Sequence, residues 1–187
     1  MNLSSTANRT RWLTLIGTII TQFALGSVYT WSLFNGALSE KLDAPVSQVA
    51  FSFGLLSLGL ALSSSVAGKL QERFGVKRVT IASGLLLGLG LFLTAHANSL
   101  MMLWLCAGIL VGLADGAGYL LTLSNCVKWF PERKGLISAF SIGSYGLGSL
   151  GFKFIDTHLL NTVGLEKTFV IWGALALVMI VFGAMMM

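Results

Sequence analysis

Charged residues are scarce in this chain: Asp, Glu, Lys and Arg make up 10% of its 187 residues, whereas hydrophobic residues make up 55%. A typical soluble domain is about 25% charged, and those charges cover its surface. A soluble globule of this composition could not cover its surface with polar groups. The composition therefore argues strongly against a soluble enzyme or a nucleic-acid-binding protein.

Proline and cysteine occur only twice each. Pro45 and Pro131 fall between the hydrophobic runs, so no predicted helix carries a proline kink. Cys106 and Cys126 lie on one predicted helix, roughly 30 Å apart along its axis, which is too far for a disulfide. The sequence has no CxxC pair and no His/Cys cluster with metal-ligand spacing, so we expect no metal and no cofactor.

What the chain does contain is six long apolar runs, each long enough to form a membrane helix. They predict an all-α membrane protein whose residues 1–187 form one six-helix transmembrane bundle. The predicted spans are residues 12–34, 49–70, 79–97, 100–127, 135–154 and 168–187. Span 1 is too long for the apolar core of a signal peptide. The last span has no polar flank, so we expect the natural chain to continue.

Lysine and arginine are distributed unevenly between the two sides of the predicted bundle. Because cytoplasmic loops are enriched in these residues, the side that carries more of them is expected to be cytoplasmic. It holds nine of them: Arg9, Arg11, Lys69, Arg73, Lys77, Arg78, Lys128, Arg133 and Lys134. The other side holds Lys41, Lys153 and Lys167. This split predicts a cytoplasmic N-terminus and leaves no continuous basic patch for nucleic acid.

Polar residues concentrate on spans 1, 4 and 5, and these spans should surround an interior pathway together with the serine-rich span 2. All three tyrosines of the chain, Tyr29, Tyr119 and Tyr145, lie on the polar faces. A tyrosine hydroxyl can donate to a carboxylate while the ring packs against apolar atoms. The three are therefore candidate contacts for a small organic anion. The alternative is that each phenol satisfies a neighbouring backbone group or serine.

Three smaller polar residues on the same faces are candidate secondary contacts to that anion. Gln22 shares the span 1 face with Tyr29, and Ser141 and Ser149 share the span 5 face with Tyr145. On these grounds we also expect the side chain of Tyr29 to lie in the interior.

Asp115 is the only acidic residue at the centre of a predicted span, and we expect it to be the one buried carboxylate. It could take part in proton coupling, or it could be a structural carboxyl hydrogen-bonded across helices. Lys153 lies near the end of span 5, one turn before Asp156. It is either a cation that attracts anions, or an anchor or ion pair with Asp156.

The loop between spans 2 and 3 reads GKLQERFGVKR. It resembles the signature of the major facilitator superfamily, glycine-x-leucine-x-aspartate-arginine-x-glycine followed by basic residues. Glu72 replaces the usual aspartate, and Val76 stands where a basic residue is common. The resemblance implies a cytoplasmic latch to a partner half. The matching positions are Gly68, Glu72, Arg73, Gly75, Lys77 and Arg78.

A second resemblance narrows the family. Residues 129–135 (WFPERKG) and 29–34 (YTWSLF) look like the corresponding segments of the oxalate/formate antiporter family. So do the glycine-rich spans that carry Tyr119 and Tyr145, and the sequence is similar to a pyruvate-associated bacterial inner-membrane member. In Asp115 it departs from the small residue expected at that position.

This resemblance implies a twelve-helix carrier of two six-helix halves, each built from two three-helix inverted repeats, that works by alternating access. Its substrate would be a small carboxylate of the oxalate, formate or pyruvate type, moved by antiport, proton symport or uniport. The main substrate-binding cations of the family lie in the C-terminal half. The expected partners are therefore the anion, the bilayer and a missing C-terminal six-helix half.

Two other functions are compatible with six spans. A six-helix membrane protein could act by itself as a homodimeric channel or structural subunit, in which self-association supplies a second half. A membrane-embedded enzyme is disfavoured, because Asp115 has no evident base, metal or nucleophile partner in the sequence.

Overall fold

The computed structural model describes residues 3–96 and 99–186, and within these ranges the ordered elements are helices. Side chains are described from residue 9 onward, except those of residues 31–33, 35, 37 and 100. The α-helices are α1 (Leu3–Gly26), α2 (Asn35–Leu42), α3 (Val46–Phe74), α4 (Val76–Ala95), α5 (Leu100–Leu103), α6 (Val111–Trp129), α7 (Lys134–Thr162) and α8 (Leu165–Met185). A 3-10 segment (Ser27–Phe34) follows α1, a π-helical segment (Trp104–Leu110) joins α5 to α6, and a 3-10 turn (Pro131–Arg133) precedes α7.

Five of the described helical stretches are long and apolar enough to cross a membrane: Arg9–Thr30, Val46–Phe74, Val76–Ala95, Met101–Trp129 and Leu165–Met185. The sixth long helix, α7, has 29 residues but is rich in glycine and serine, which lowers its hydropathy. A helix thus lies over each predicted span. The exact membrane limits stay predictions, and the predicted ends at Ala97 and Met187 lie outside the described residues.

The six long helices pack as two related sets of three. Helix α1 packs against α7 and α8, and α6 packs in the same way against α3 and α4. The two sets are related by exchanging α1 with α6, α3 with α7 and α4 with α8. The exchange turns the α1–α7 contact into α6–α3 and the α1–α8 contact into α6–α4, and it leaves the α4–α8 and α1–α6 contacts unchanged. The same exchange relates the consecutive unit α1, α3 and α4 to the consecutive unit α6, α7 and α8. Because three membrane-spanning helices begin and end on opposite sides of a membrane, these two units have inverted topology. This is the arrangement expected of two three-helix repeats.

Glycines allow the related helix pairs to approach closely. In the α1–α7 pair, a Cβ on Gly26 would overlap the carbonyl oxygen of Tyr145, and one on Gly148 would overlap that of Phe23. In the α3–α6 pair, Gly112 and Gly116 meet the carbonyl oxygens of Leu56 and Leu60 in the same way. Small residues at such crossings let two backbones come into contact, as the glycine spacing of span 4 predicts.

The first helix is tied to the loop between α6 and α7 at one end of the bundle. Arg11 forms an ion pair with Glu132, its guanidinium lies 4.1 Å from the ring centroid of Phe130, and Trp12 meets the same ring edge-on at 5.6 Å. Backbone hydrogen bonding at Glu132, the hydrogen bond from Arg11 and the charges of Arg11 and Arg133 hold the pKa of the Glu132 carboxyl below its ordinary value. These contacts give a structural role to the 129–135 segment.

Gly75 joins α3 to α4 with a backbone conformation of φ 86° and ψ 158°, which is accessible essentially only to glycine. Replacing Gly75 by alanine should therefore lower the free energy of unfolding by about 1–3 kcal/mol. Gly68 of the same loop signature is the matched control, because it is helical and a Cβ there meets nothing within 4 Å. Gly68→Ala should leave stability unchanged or raise it by up to about 1 kcal/mol. Thermal unfolding in detergent measures both, and equal stabilities of the two variants would contradict the prediction.

Candidate functional site

The three tyrosines converge on one cavity of about 560 Å³ between the 3-10 segment, α3, α6 and α7. Tyr145 lies in the middle: its ring centroid is 5.4 Å from that of Tyr29 and 4.8 Å from that of Tyr119, both in edge-on contact. The cavity is lined by Tyr29, Leu60, Tyr119, Ile142, Tyr145, Gly146 and Ser149. Helices far apart in sequence thus present three phenols to one space.

Asp115 of α6 lies directly behind Tyr145. The Tyr145 hydroxyl donates a hydrogen bond of 2.7 Å to Oδ2 of Asp115, and the carboxyl is fully buried. Within the described residues, Oδ1 of Asp115 has no hydrogen-bond partner. The arrangement is the cross-helix hydrogen bond that was the structural alternative for this residue. It also leaves a second carboxyl oxygen able to accept or carry a proton.

Tyr29 reaches the cavity from the 3-10 segment that follows α1, and its ring also packs against Phe53 of α3 at 5.9 Å. Its side chain is 47% exposed and lines the cavity together with Tyr119 and Tyr145. The prediction continued the α-helical turn of 100° per residue through residue 29, whereas the segment that carries Tyr29 is a 3-10 helix with about three residues per turn.

The secondary candidates fall in different places. Ser149 lines the cavity. Gln22 is fully buried and donates to the carbonyl oxygen of Tyr119 (3.0 Å) and to Oγ1 of Thr122 (2.7 Å). Ser141 is also fully buried and is not one of the lining residues. Gln22 therefore positions the α6 turn that carries Tyr119 instead of facing the cavity.

A second buried carboxylate, Asp156, lies further along α7. It is fully buried, and Oγ1 of Thr30 lies 2.9 Å from its Oδ2. The expectation that Asp115 is the one buried carboxylate was therefore wrong, because α7 continues to Thr162, well past the predicted end of span 5 at residue 154. Lys153 is exposed, and the ion pairs among the described residues are Arg11–Glu132 and Lys41–Glu166. The signal that could have identified Asp156 is its place on the serine-rich face of α7.

The surface of the cavity is mostly apolar and uncharged, and its polar side-chain groups are hydroxyls. None of the described lining residues carries a charge. The described part of the chain also contains no group of three or more His, Cys, Asp or Glu side chains that could hold a metal ion. What the cavity offers a ligand is phenol hydroxyls, aromatic ring faces and edges, and one serine hydroxyl. This set suits a small flat molecule that accepts hydrogen bonds.

Two repeated three-helix units with a tyrosine-lined cavity between their helices are the architecture of a multi-pass membrane transporter. The chain belongs to the Major Facilitator Superfamily, whose family model matches residues 12–187. The six-helix bundle is half of the twelve-helix fold of that superfamily.

Three curated relatives indicate where in the superfamily the chain lies. It is 89% identical to the MFS-type transporter YhjX of Escherichia coli strain K12, over 98% of this chain and 46% of the relative. It is 24% identical to the oxalate:formate antiporter of Oxalobacter formigenes, over 91% of this chain and 41% of the relative. It is 31% identical to monocarboxylate transporter 9 of Rattus norvegicus, over 94% of this chain and 35% of the relative. The chain thus spans about half the length of these relatives, or less.

Proposed function

We propose that this chain is the N-terminal half of a secondary carrier that moves a small carboxylate of the oxalate, formate or pyruvate type across a bacterial inner membrane. The observation that carries the proposal is the cavity in which Tyr29, Tyr119 and Tyr145 converge with Ser149. The names of two relatives, an oxalate:formate antiporter and a monocarboxylate transporter, support the substrate class.

Each tyrosine has a distinct part in this proposal. Tyr145 already donates a hydrogen bond to Asp115, so it contributes its ring and supports the wall of the cavity. Tyr29 and Tyr119 flank it and donate to the carboxylate of the substrate, with Ser149 as a further hydroxyl at the lining. Hydrogen bonds to a charged acceptor are the stronger ones, so two phenols provide useful affinity for a small anion.

The cavity lining supplies no positive charge, so a C-terminal six-helix bundle is proposed to supply the cation that neutralises the substrate. The N-terminal bundle then rocks against that partner around the bound anion, and no covalent chemistry takes place. The exposed charges of Glu72, Arg73, Lys77 and Arg78 at the α3–α4 turn fit a latch at the cytoplasmic surface. The N-terminus is accordingly proposed to be cytoplasmic.

Uptake of radiolabelled oxalate, formate and pyruvate into proteoliposomes of the full-length protein tests this function. We expect accumulation of at least one of the three, competed by unlabelled short carboxylates and not by amines or sugars. Well-folded protein that moves none of the three acids, in either uptake or counterflow, would contradict the proposal.

Asp115 is proposed to take up a proton during the transport cycle, because an ionised carboxylate 2.7 Å from the Tyr145 hydroxyl would repel an anion in the cavity. Asp115→Asn should therefore flatten the dependence of uptake on pH. Asp43→Asn is the control, since Asp43 is exposed at the end of α2 and asparagine tolerates its left-handed conformation. A pH profile of Asp115→Asn that matches the wild type would end the proton role and leave the structural one.

A further inference from the structure

Asp156 is a buried carboxyl that the proposed transport site does not use. Its side chain is fully buried, and Oδ1 has no hydrogen-bond partner within the part of the chain that the structure describes. Oδ2 lies 2.9 Å from Oγ1 of Thr30. An ionised carboxylate with one hydroxyl donor and no cation is costly to bury.

The hydrogen bonds of Thr30 indicate which form of Asp156 the fold accommodates. Oγ1 of Thr30 lies 2.7 Å from the carbonyl oxygen of Ser27 and 2.9 Å from Oδ2 of Asp156. A threonine hydroxyl has a single proton to donate, and a carbonyl oxygen only accepts. Both contacts are full two-centre hydrogen bonds at the same time only when the Asp156 carboxyl is protonated and donates a hydrogen bond to Oγ1 of Thr30. The geometry therefore fits a neutral Asp156.

The charged and titratable groups on the surrounding elements do not compensate Asp156. The charged groups near Asp156 on α7 and at the start of α8 have exposed side chains, as do Glu40 and Asp43 on α2. Tyr29 on the 3-10 segment packs against the buried Tyr145 of α7, and Asp115 on α6 accepts a hydrogen bond from Tyr145. The exposed groups on α7 and α8 are Lys153, His158, Glu166 and Lys167. Glu166 is moreover paired with Lys41, at 3.3 Å. Binding a proton is therefore the way in which this buried carboxyl avoids an uncompensated charge.

The Asp156–Thr30 contact lies in a small network that fixes the 3-10 segment. Ser27 at the start of the segment accepts a 2.8 Å hydrogen bond from Nε1 of Trp172 on α8 and donates to the carbonyl oxygen of Ala24. Thr30 closes the same turn onto Ser27 and links it to α7. Tyr29 belongs to this turn and carries one of the three cavity phenols. Whatever changes the hydrogen bond of Thr30 therefore changes the support of Tyr29.

We propose that Asp156 is a proton-binding position that sets the geometry of the Tyr29 side of the cavity. With the proton bound, Asp156 donates to Thr30, and Thr30 donates to Ser27. When the proton leaves to water, the Thr30 hydroxyl turns and donates its hydrogen bond to the Asp156 carboxylate. The Thr30–Ser27 bond is then lost, the turn loosens and the affinity for substrate falls. Asp156 is a positioning residue in this scheme, and its effect on substrate rests on the proposed carboxylate site.

Infrared difference spectroscopy of the full-length protein tests the proton site without any transport. On an Asp115→Asn background, the carbonyl stretch of a protonated, buried carboxylic acid should be present in acid and should be lost as the pH is raised. Adding Asp156→Asn should remove that signal at every pH. A signal that survives Asp156→Asn unchanged, or that is absent before it, would overturn the proposal.

Substrate affinity at about pH 5 and about pH 8 provides the second readout. The wild type and the exposed control Asp43→Asn should bind substrate about fivefold or more weakly at the higher pH, the lower end of ordinary coupling between sites. Asp156→Asn, which mimics the neutral carboxyl, should reduce this dependence to the part that Asp115 contributes, because it keeps the Tyr29 side in its tighter-binding geometry at both pH values. Thr30→Val should reduce the dependence as well, whereas Thr30→Ser retains the hydroxyl and should keep the wild-type dependence.

The two readouts separate the inference from the proposed function. A titrating Asp156 signal in a protein that moves no carboxylate would refute the transport proposal and leave the proton site standing. Carboxylate transport with a wild-type pH response in both Asp156→Asn and Thr30→Val would refute the inference alone. If Asp156→Asn does not fold, the comparison of Thr30→Val with Thr30→Ser still decides, because a wild-type pH response in Thr30→Val contradicts the scheme.

Discussion

Replacing both Tyr119 and Tyr145 by phenylalanine should lower carboxylate uptake by about a hundredfold. The Tyr119 phenol, which donates to the substrate carboxylate, is worth about 1.5–3 kcal/mol, and about 1.4 kcal/mol corresponds to a factor of ten. Loss of the Tyr145–Asp115 hydrogen bond adds to this effect, because it removes the support of the cavity wall. The double variant keeps both rings and the cavity shape while removing two hydroxyls from the group of three. Initial rates of uptake into proteoliposomes, normalised to inserted protein, measure the effect. Wild-type uptake in the double variant would refute the assignment of the tyrosines.

The single variants distinguish a loss of substrate binding from a loss of protein stability. Tyr145→Phe removes the hydrogen bond to the buried Asp115, so it should also lower the free energy of unfolding by about 1–3 kcal/mol. Tyr119→Phe should lower uptake without that loss. Thr162→Val is the control, because it removes an exposed α7 hydroxyl that bonds only to carbonyls of its own helix.

Replacing Gly148 by alanine should lower the free energy of unfolding by about 1–3 kcal/mol or more. The added Cβ would overlap the carbonyl oxygen of Phe23, and a backbone atom cannot rotate away as a flexible side chain can. Helices α1 and α7 would have to separate along their shared contact. Gly26→Ala applies the same test from the other helix, where the overlap is with the carbonyl oxygen of Tyr145 itself.

Gly143 is the matched control for this crossing, because it lies on the same helix and a Cβ there meets nothing within 4 Å. Gly143→Ala should therefore leave the melting temperature in detergent unchanged, or raise stability by up to about 1 kcal/mol through helix propensity. If Gly148→Ala and Gly143→Ala melt together, the close approach of α1 and α7 is not a source of stability.

The helices could be predicted from the sequence because a membrane span needs a long apolar run, and such runs are easily recognised in a sequence. A close contact of span 4 with some other helix was also predictable, since Gly108, Gly112 and Gly116 repeat every four residues, but the identity of α3 as the partner was not. The pairing of α1 with α7 was not readable. Periodicity says which residues share a face, and it does not say which other helix that face meets.

The same limit explains the outcome at the site. A helical wheel grouped the tyrosines with polar neighbours, and the structure brings all three to one cavity. It could not tell that Gln22 bonds to the backbone of Tyr119 or that the winding changes at Ser27. Asp156 was missed as a buried group because a charge near the end of an apolar run looks solvated. In the structure α7 extends beyond the apolar run, and Asp156 is buried next to Thr30.

The eight residues of the 3-10 segment, Ser27–Phe34, also affect the reach of the first span. A 3-10 helix rises about 2.0 Å per residue against about 1.5 Å in an α-helix, so the segment covers about 16 Å where an α-helix would cover about 12 Å. Its side chains also advance by about 20° more per residue. Rewinding the segment into α-helix would therefore draw α2 inward by about 4 Å and rotate Tyr29 relative to α1. A change between 3-10 and α-helical winding would therefore alter both the length of the first span and the orientation of Tyr29.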